Sequence, residues 1–218
     1  MIAAKRETLA DRLADNRRLA LRLVPVSRET AERFSAYVDL LARWSNATNL
    51  VSKSTFGAVW TSHIADCAQI KLVAPTAIRW VDIGCGAGLP GLVLAMQLAD
   101  VPGAIVHCIE SDQRKCAFLR AAARATSSPA IVHPVRIQAV DPIWLGPVDA
   151  VTARALAPLY TTFQLAKMWM ERGAIGVFPR GRFSREQIEP ANLAVAYTID
   201  TLPSIVNSER AILRVRSN

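Results

Sequence analysis

The residues best suited to chemistry form one run, Val81-Asp82-Ile83-Gly84-Cys85-Gly86-Ala87-Gly88-Leu89-Pro90-Gly91. A short apolar stretch leads into it and a helical pattern follows, with Pro90 placed for the first helical turn. Glycines are needed where a backbone turns tightly and approaches a ligand with no Cβ atoms in the way. Further on, Ile105-Val106-His107-Cys108-Ile109 is followed by Glu110. A carboxylate at the end of a second strand can accept hydrogen bonds from both hydroxyls of a ribose. Its separation from the glycine turn is close to the interval of about 20 residues expected in nucleotide-binding βαβ units. The chemistry implied is the binding of a ligand that contains a nucleoside.

Two ligand classes fit that unit. Gly86 to Gly91 satisfies the G-x-G-x-x-G pattern of dinucleotide enzymes. The turn, however, already begins at Gly84, and Asp82 stands inside the strand end. Like-charge repulsion penalises an acid beside a pyrophosphate, whereas the amino-acid end of a cofactor can meet Asp82 directly or through water. The Asp-x-Gly-x-Gly-x-Gly pattern resembles the first motif of S-adenosyl-L-methionine-dependent methyltransferases. Asp82, Gly84, Gly86, Gly88 and Glu110 are therefore the candidate cofactor-binding residues. A turn that binds nothing is the remaining alternative.

The elements around this run must place it at a sheet edge. Residues 1–75 read as a helical extension: Leu9, Leu13, Leu19 and Leu23 fall near helical spacing until Pro25. Ser27 then offers an N-cap, with Phe34, Val38, Leu41 and Trp44 on one face. Another helical stretch is expected from Val59 to Val73. From residue 76 to 218 the texture becomes that of a binding domain. Strands are expected at Trp80–Ile83, Ile105–Ile109, Ile131–Ile137, Val148–Thr152 and Ile175–Phe178. Helices are expected at Leu89–Leu98, Gln113–Ala125 and Leu159–Met170. Such alternation predicts an α/β, Rossmann-like fold with a mostly parallel sheet. Val195–Ile199 and Ala211–Val215 add an antiparallel pair at the edge, giving a seven-stranded sheet.

Composition narrows the setting. Half of the 218 residues are hydrophobic, at 51%, enough for a substantial core. The formal charge of +8 favours a polyanionic partner, because lysine and arginine gain affinity by releasing counterions from phosphate. Cys67, Cys85, Cys108 and Cys116 form no Cys-x-x-Cys pair, so zinc and thioredoxin-like chemistry lack support. Lys5, Arg6, Glu7 and Asp11 leave no apolar stretch for a secretory signal. The most apolar helix candidate, Leu92 to Ala99, is too short to cross a bilayer. These features predict a cytoplasmic, monomeric protein with no metal and no membrane partner.

A narrower likeness follows from Gly84-Cys85-Gly86-Ala87-Gly88-Leu89-Pro90-Gly91. A Leu-Pro-Gly ending directly after the glycine turn resembles the glucose-inhibited division protein B family, the 16S ribosomal RNA guanine-N7 methyltransferases. Other segments agree in order: Tyr37 to Trp44 with Asn49-Leu50, His63-Ile64-Ala65-Asp66-Cys67, and Glu110-Ser111 with Arg114-Lys115 and Phe118-Leu119. Asp149-Ala150-Val151-Thr152-Ala153-Arg154-Ala155 completes the set. The resemblance implies the seven-stranded class I methyltransferase fold, with 16S ribosomal RNA or the small ribosomal subunit as substrate. It places cofactor contacts on Gly84, Leu89, the pair Ala139-Val140, and Arg154. Val140 stands where the family has an acidic residue, a role that Asp141 can supply. Phe178-Pro179-Arg180-Gly181 replaces the family's Leu-Lys-Gly, with arginine still able to bind phosphate.

Guanine N7 carries a lone pair on the major-groove edge and needs no base to remove a proton, so alignment is the main demand. No residue stands out as the catalytic acid or base. Arg154 can bind the cofactor carboxylate, guanine O6 or a phosphate, or form a structural ion pair. His63, with Asp66, either braces the cofactor loop or contacts RNA; Asn49 is a turn residue or an RNA contact. Arg180, Arg182 and Arg185, with Phe183 among them, read as a basic loop for RNA phosphates or as solvated charge. His107 and His133 read as structural. The rival functions are a small-molecule or protein methyltransferase on the same fold, and a non-catalytic RNA-binding module.

Overall fold

Short apolar runs buried on both faces become the strands of one sheet. The computed structural model describes residues 8–45, 48–182 and 196–218; the side chains at 53, 54 and 182 are outside that description. The strands are β1 (Arg79–Ile83), β2 (Ile105–Ile109), β3 (Ala130–His133), β4 (Ala150–Thr152), β5 (Ile175–Arg182), β6 (Tyr197–Pro203) and β7 (Arg210–Ser217). Their order across the sheet is β3-β2-β1-β4-β5-β7-β6. β1 to β5 are parallel, and β7 runs antiparallel between β5 and β6. The order reverses between β1 and β4, so a crevice opens at the carboxyl ends of the central strands.

The helices are α1 (Leu9–Leu23), α2 (Arg28–Ser45), α3 (Asp66–Ala68), α4 (Ile70–Val73), α5 (Gly91–Gln97), α6 (Gln113–Ala125) and α7 (Leu159–Met170). Their starts follow capping chemistry. Thr8 and Asp11 close a capping box on α1, Ser27 Oγ accepts from the Thr30 N–H, and Asp112 accepts from the Arg114 and Lys115 N–H groups. Each cap satisfies amide donors that a helix start leaves open.

The sheet separates two apolar clusters. On one face Trp80 packs with Phe34, Tyr37, Leu41, Leu92 and Phe118 from α2, α5 and α6. On the other, Val81, Ile83 and Val151 pack with Phe163, Trp169 and Phe178 around α7. Neighbouring residues of β1 thus serve opposite faces, as a pleated strand requires. Each fully buried side chain of this size contributes about 1.5–3 kcal/mol. The helices before β1 share the first cluster, so they buttress the strand that carries the glycine turn.

Several boundaries differ from the sequence expectation, four of them for a local reason. β3 stops at His133 because Pro134 follows, and Ile137 joins a short 3-10 turn instead. β5 runs on to Arg182 through Pro179; its pairing with β4 ends at Val177, so only β7 flanks the proline. Val59–Val73 is not one helix: Trp60–Ala65 winds with π-helical spacing before α3 and α4. Pro90 sits immediately before α5, after a cis Leu89–Pro90 bond. Val195, Phe183 and Arg185 lie outside the described residues, as do Lys5 and Arg6.

Candidate active site

Three strand ends meet in the crevice: Gly84 follows β1, Glu110 follows β2 and Arg154 follows β4. The glycine turn is fixed by its own backbone. Gly84 and Cys85 N–H both donate to Ile109 O, at 2.9 and 3.0 Å, and Gly88 N–H donates to Cys85 O at 2.8 Å. Gly84, Gly86 and Gly88 have φ of 71°, 57° and 85°, a region that a Cβ disfavours. At Gly84 a Cβ would also lie 2.4 Å from Leu156 Cδ1. At Gly86 the nearest atom would be Gly84 O at 3.9 Å, so the turn has open space there. Tyr37 reinforces the turn from α2, donating its hydroxyl to Ala87 O at 2.6 Å.

Glu110 is held by two amides: Oε2 accepts from Gly86 N–H and Oε1 from Asp112 N–H, both at 2.9 Å. Each oxygen keeps a lone pair for a ligand hydroxyl. Asp82 plays a different part. It is fully buried, and its Oδ2 accepts from Gly91 N–H at 2.7 Å. Burial pushes its carboxyl up to about 6. It organises the turn from below.

A cavity of ≈ 680 Å³ lies over the turn. Gly84, Gly86, Leu89, Glu110, Arg154 and His63 line it, and so do Lys115 and Arg136. Asp82, Gly88, Ala139, Val140 and Asn49 are not in its wall; Val140 is buried among apolar residues, and Asn49 is exposed. Asp141 is engaged as the cap of the next 3-10 turn through Ile143 N–H.

Beyond Arg154 lies a second cavity of ≈ 420 Å³, walled by Asp66, Arg180, Arg210 and Pro179. Arg154, Ala155 and Leu156 line both cavities. Ala155 has a φ of 53°, strained for a residue with a Cβ, so the shared wall is held in an uncommon backbone conformation. Arg154 Nη2 donates to Ser62 O at 3.0 Å and lies 2.9 Å from His63 Nδ1. A guanidinium only donates, so His63 Nδ1 is the acceptor and its proton sits on Nε2. Burial, then Arg154 and Arg210, lower His63 to about 4. Burial pushes the neighbouring Cys67 thiol up to about 12. The buried Asp66 carboxylate lies 3.1 Å from Arg210 and 3.5 Å from Arg154.

The sequence reading missed Arg210, Leu156, Gln69 and the hydroxyl of Tyr37. Only Tyr37 carried a signal, its place in the ordered family likeness. Arg210 reaches the site from the far end of the chain. His107 and His133 pair across β2 and β3 at 2.9 Å. Among the described residues, no group of three or more His, Cys, Asp or Glu side chains is arranged to hold a metal ion.

Solved structures share this fold. An O-methyltransferase from Bacillus cereus in complex with SAH aligns with a TM-score of 0.61 at 14% identity, covering 96% of this chain and 100% of that one. A ribosomal protein L11 methylase from Lactobacillus delbrueckii subsp. bulgaricus aligns at 0.56 and 14%, covering 72% and 79%. The strand order, the glycine turn and the carboxylate ending β2 define the class: a class I S-adenosylmethionine-dependent methyltransferase. Two relatives named ribosomal RNA small subunit methyltransferase G narrow it. That of Bradyrhizobium diazoefficiens is 49% identical over 181 residues, 83% of this chain and 69% of the relative. That of Methylorubrum populi is 43% identical over 192 residues, 88% and 90%. The family model GidB, rRNA small subunit methyltransferase G, matches residues 30–212, and the chain belongs to that family.

The first cavity fits the cofactor of this class. Glu110 offers a fixed carboxylate for ribose hydroxyls, and the turn at Gly86 leaves space where a side chain would intrude. S-adenosylmethionine supplies a methyl group on a positively charged sulfur.

Proposed function

We propose that the chain methylates N7 of a guanine in small-subunit ribosomal RNA, acting in the cytoplasm as a monomer on 16S RNA or on the subunit that contains it. The relatives' names support the substrate, and the net charge of +8 suits a polyanion. One observation carries the chemistry: among the described residues, the groups around Arg154, where the two cavities meet, offer no free base. The His63 Nδ1 lone pair is taken by Arg154, Cys67 is held protonated, and Asp66 is shared between two guanidiniums. A nucleophile reacting there must bring its own lone pair. Guanine N7 does so, since it loses no proton on attack.

The residues then divide by role. Glu110, Gly84, Gly86 and Leu89 bind the nucleoside part of the cofactor, and Gly88 and Asp82 shape the turn beneath it. Ala139 and Val140 act through the adjoining loop Val135–Gln138, which borders the cavity. Arg154 orients the reactants from the shared wall, and His63 sets the position of Arg154. Arg180, Arg182 and Asn49 meet the RNA backbone. Residues 1–75 act as the buttress of β1, and residues 76–218 form the catalytic domain.

The test is transfer of labelled methyl from S-adenosylmethionine to small subunits lacking the modification, followed by nucleoside digestion. Label in N7-methylguanosine is expected. Label only in another nucleoside, in protein, or nowhere sinks the reading.

A further inference from the structure

Among the described residues, the second cavity is faced by three guanidiniums, Arg154, Arg180 and Arg210, and by one carboxylate, Asp66. Asp66 Oδ2 is shared between Arg210 at 3.1 Å and Arg154 at 3.5 Å. Its other oxygen, Oδ1, accepts from Gln69 Nε2 at 3.2 Å. Gln69 cannot turn around, because its Oε1 accepts from Ile205 N–H at 2.9 Å while Nε2 also donates to Ser204 Oγ at 2.9 Å. That buried amide fixes the carboxylate and ties the β6–β7 connection to α3, which delivers Arg210 to the cavity.

Arg180 has no such arrangement. Its hydrogen bond among the described residues is a 3.3 Å donation to Ala157 O, and it meets no carboxylate there. It is nonetheless partly buried, and burial lowers its pKa. A guanidinium withdrawn from water without a counter-charge is costly. Its planar fork matches a phosphate's oxygens. The volume of ≈ 420 Å³ lies within the range of about 300–1,000 Å³ usual for small-ligand sites.

We propose that this second cavity seats a backbone phosphate of the nucleotide being methylated, gripped by Arg180 and Arg210, with Asp66 and Gln69 as positioning residues for Arg210. The inference rests on the RNA reading above and adds a demand to it. The target is taken as a guanosine phosphate, not as a bare base, and the shared wall at Arg154 fixes how far the phosphate lies from the cofactor cavity.

The experiment uses the full chain saturated with S-adenosylhomocysteine and titrated calorimetrically with guanosine 5′-monophosphate or with guanosine. The nucleotide should bind at least about tenfold more tightly than the nucleoside, the ratio expected of one charge-assisted grip. Arg180→Met should abolish that ratio and leave S-adenosylhomocysteine affinity unchanged. Arg210→Met, checked by thermal melting, should act in the same direction. Equal binding of the two ligands, no measurable binding of either, or an Arg180→Met chain that keeps the ratio overturns the proposal. So does loss of S-adenosylhomocysteine affinity in Arg180→Met, which would give the cavity to the cofactor's carboxylate. If N7-methylguanosine still forms in 16S RNA, only the phosphate seat falls. If the ratio holds and no N7-methylguanosine forms, only the substrate reading falls.

Discussion

The first cavity takes its floor from one short turn, Gly84 to Ala87 with Leu89, whereas the second draws its charged wall from Asp66, Arg154, Arg180 and Arg210. The floor is held by positive φ angles and a Gly88-to-Cys85 hydrogen bond within the turn, and by the end of the neighbouring strand, whose Ile109 O accepts from Gly84 and Cys85. The wall is held by side chains that meet only after the sheet has formed, with Gln69 and the β6–β7 connection bringing Arg210 across. A local turn is robust to events elsewhere in the fold. A side-chain cluster depends on every element that contributes to it, and removing its hub should damage it most.

Asp66→Ala is therefore the largest expected effect. Taking away one partner of a buried pair leaves uncompensated charge, here on Arg154 and Arg210, whose side chains are 17% and 30% exposed. That partial exposure puts the loss near about 3 kcal/mol, the low end for buried pairs, read from denaturant unfolding. Turnover on RNA should fall roughly 100-fold through misplacement of Arg154, with S-adenosylhomocysteine affinity nearly unchanged. Equal losses in turnover and cofactor affinity would show that the two cavities are not separable.

Gly91→Ala strikes the other region. Its new Cβ would lie 2.7 Å from Asp82 Oδ2, 2.9 Å from Asp82 Cβ and 3.1 Å from Cys108 Sγ. None of these is the loose end of a flexible chain, so the start of α5 must move. Overpacking of this kind costs about 2 kcal/mol. Cofactor affinity should fall with it, because Asp82 and Gly91 together set the turn. A chain that loses stability but keeps full S-adenosylhomocysteine affinity would mean that the turn is held by its own φ angles alone.

The same contrast explains what could be read in the sequence. Gly84, Gly86 and Glu110 were legible because their demand is local: a strand, a turn without Cβ atoms, and an acid ending the next strand. The seven strands were legible because apolar runs and turn residues mark them, even where Pro134 and Pro179 shifted the ends. Arg210 and Gln69 gave no such sign. Their roles arise from β7 lying beside β5 and from the β6–β7 connection reaching α3, which no spacing in the chain encodes. His63 and Asp66 were noticed, but their shared partner Arg154 is set by the π-helical winding of Trp60–Ala65, which periodicity read as ordinary helix. Asp82 was expected to reach the ligand, while its full burial places it beneath the turn.

Asp82→Asn should produce an effect of opposite sign. Burial raises the carboxyl from its ordinary 3.8 to about 6. A raised folded-state pKa favours the folded protein below about pH 4, and that contribution is lost as pH rises through about 6. The amide can still accept from Gly91 N–H and does not ionise. The variant should match the wild type near pH 4 and gain on it through pH 6, levelling off about one unit above. Denaturant midpoints at pH 4, 6 and 8 measure this, and a difference independent of pH refutes a buried charge under the turn.

The last effect belongs to His63, where the second region sets the charge state of a residue facing the first. Burial, then Arg154 and Arg210, depress His63 from 6.5 to about 4. A depressed histidine stabilises the folded state above its ordinary value, and the contribution is lost as pH falls from about 6.5 through about 4. Over that window His63→Gln should lose less stability than the wild type does. Nitrogen chemical shifts of the wild type at pH 6 should show neutral imidazole protonated on Nε2, since Nδ1 accepts from Arg154. Arg210→Met should raise the His63 pKa by removing one of the two nearby positive charges. A histidine titrating near 6.5 in the wild type would contradict the Arg154 hydrogen bond, and with it the reason that the groups around Arg154 offer no base to the nucleophile.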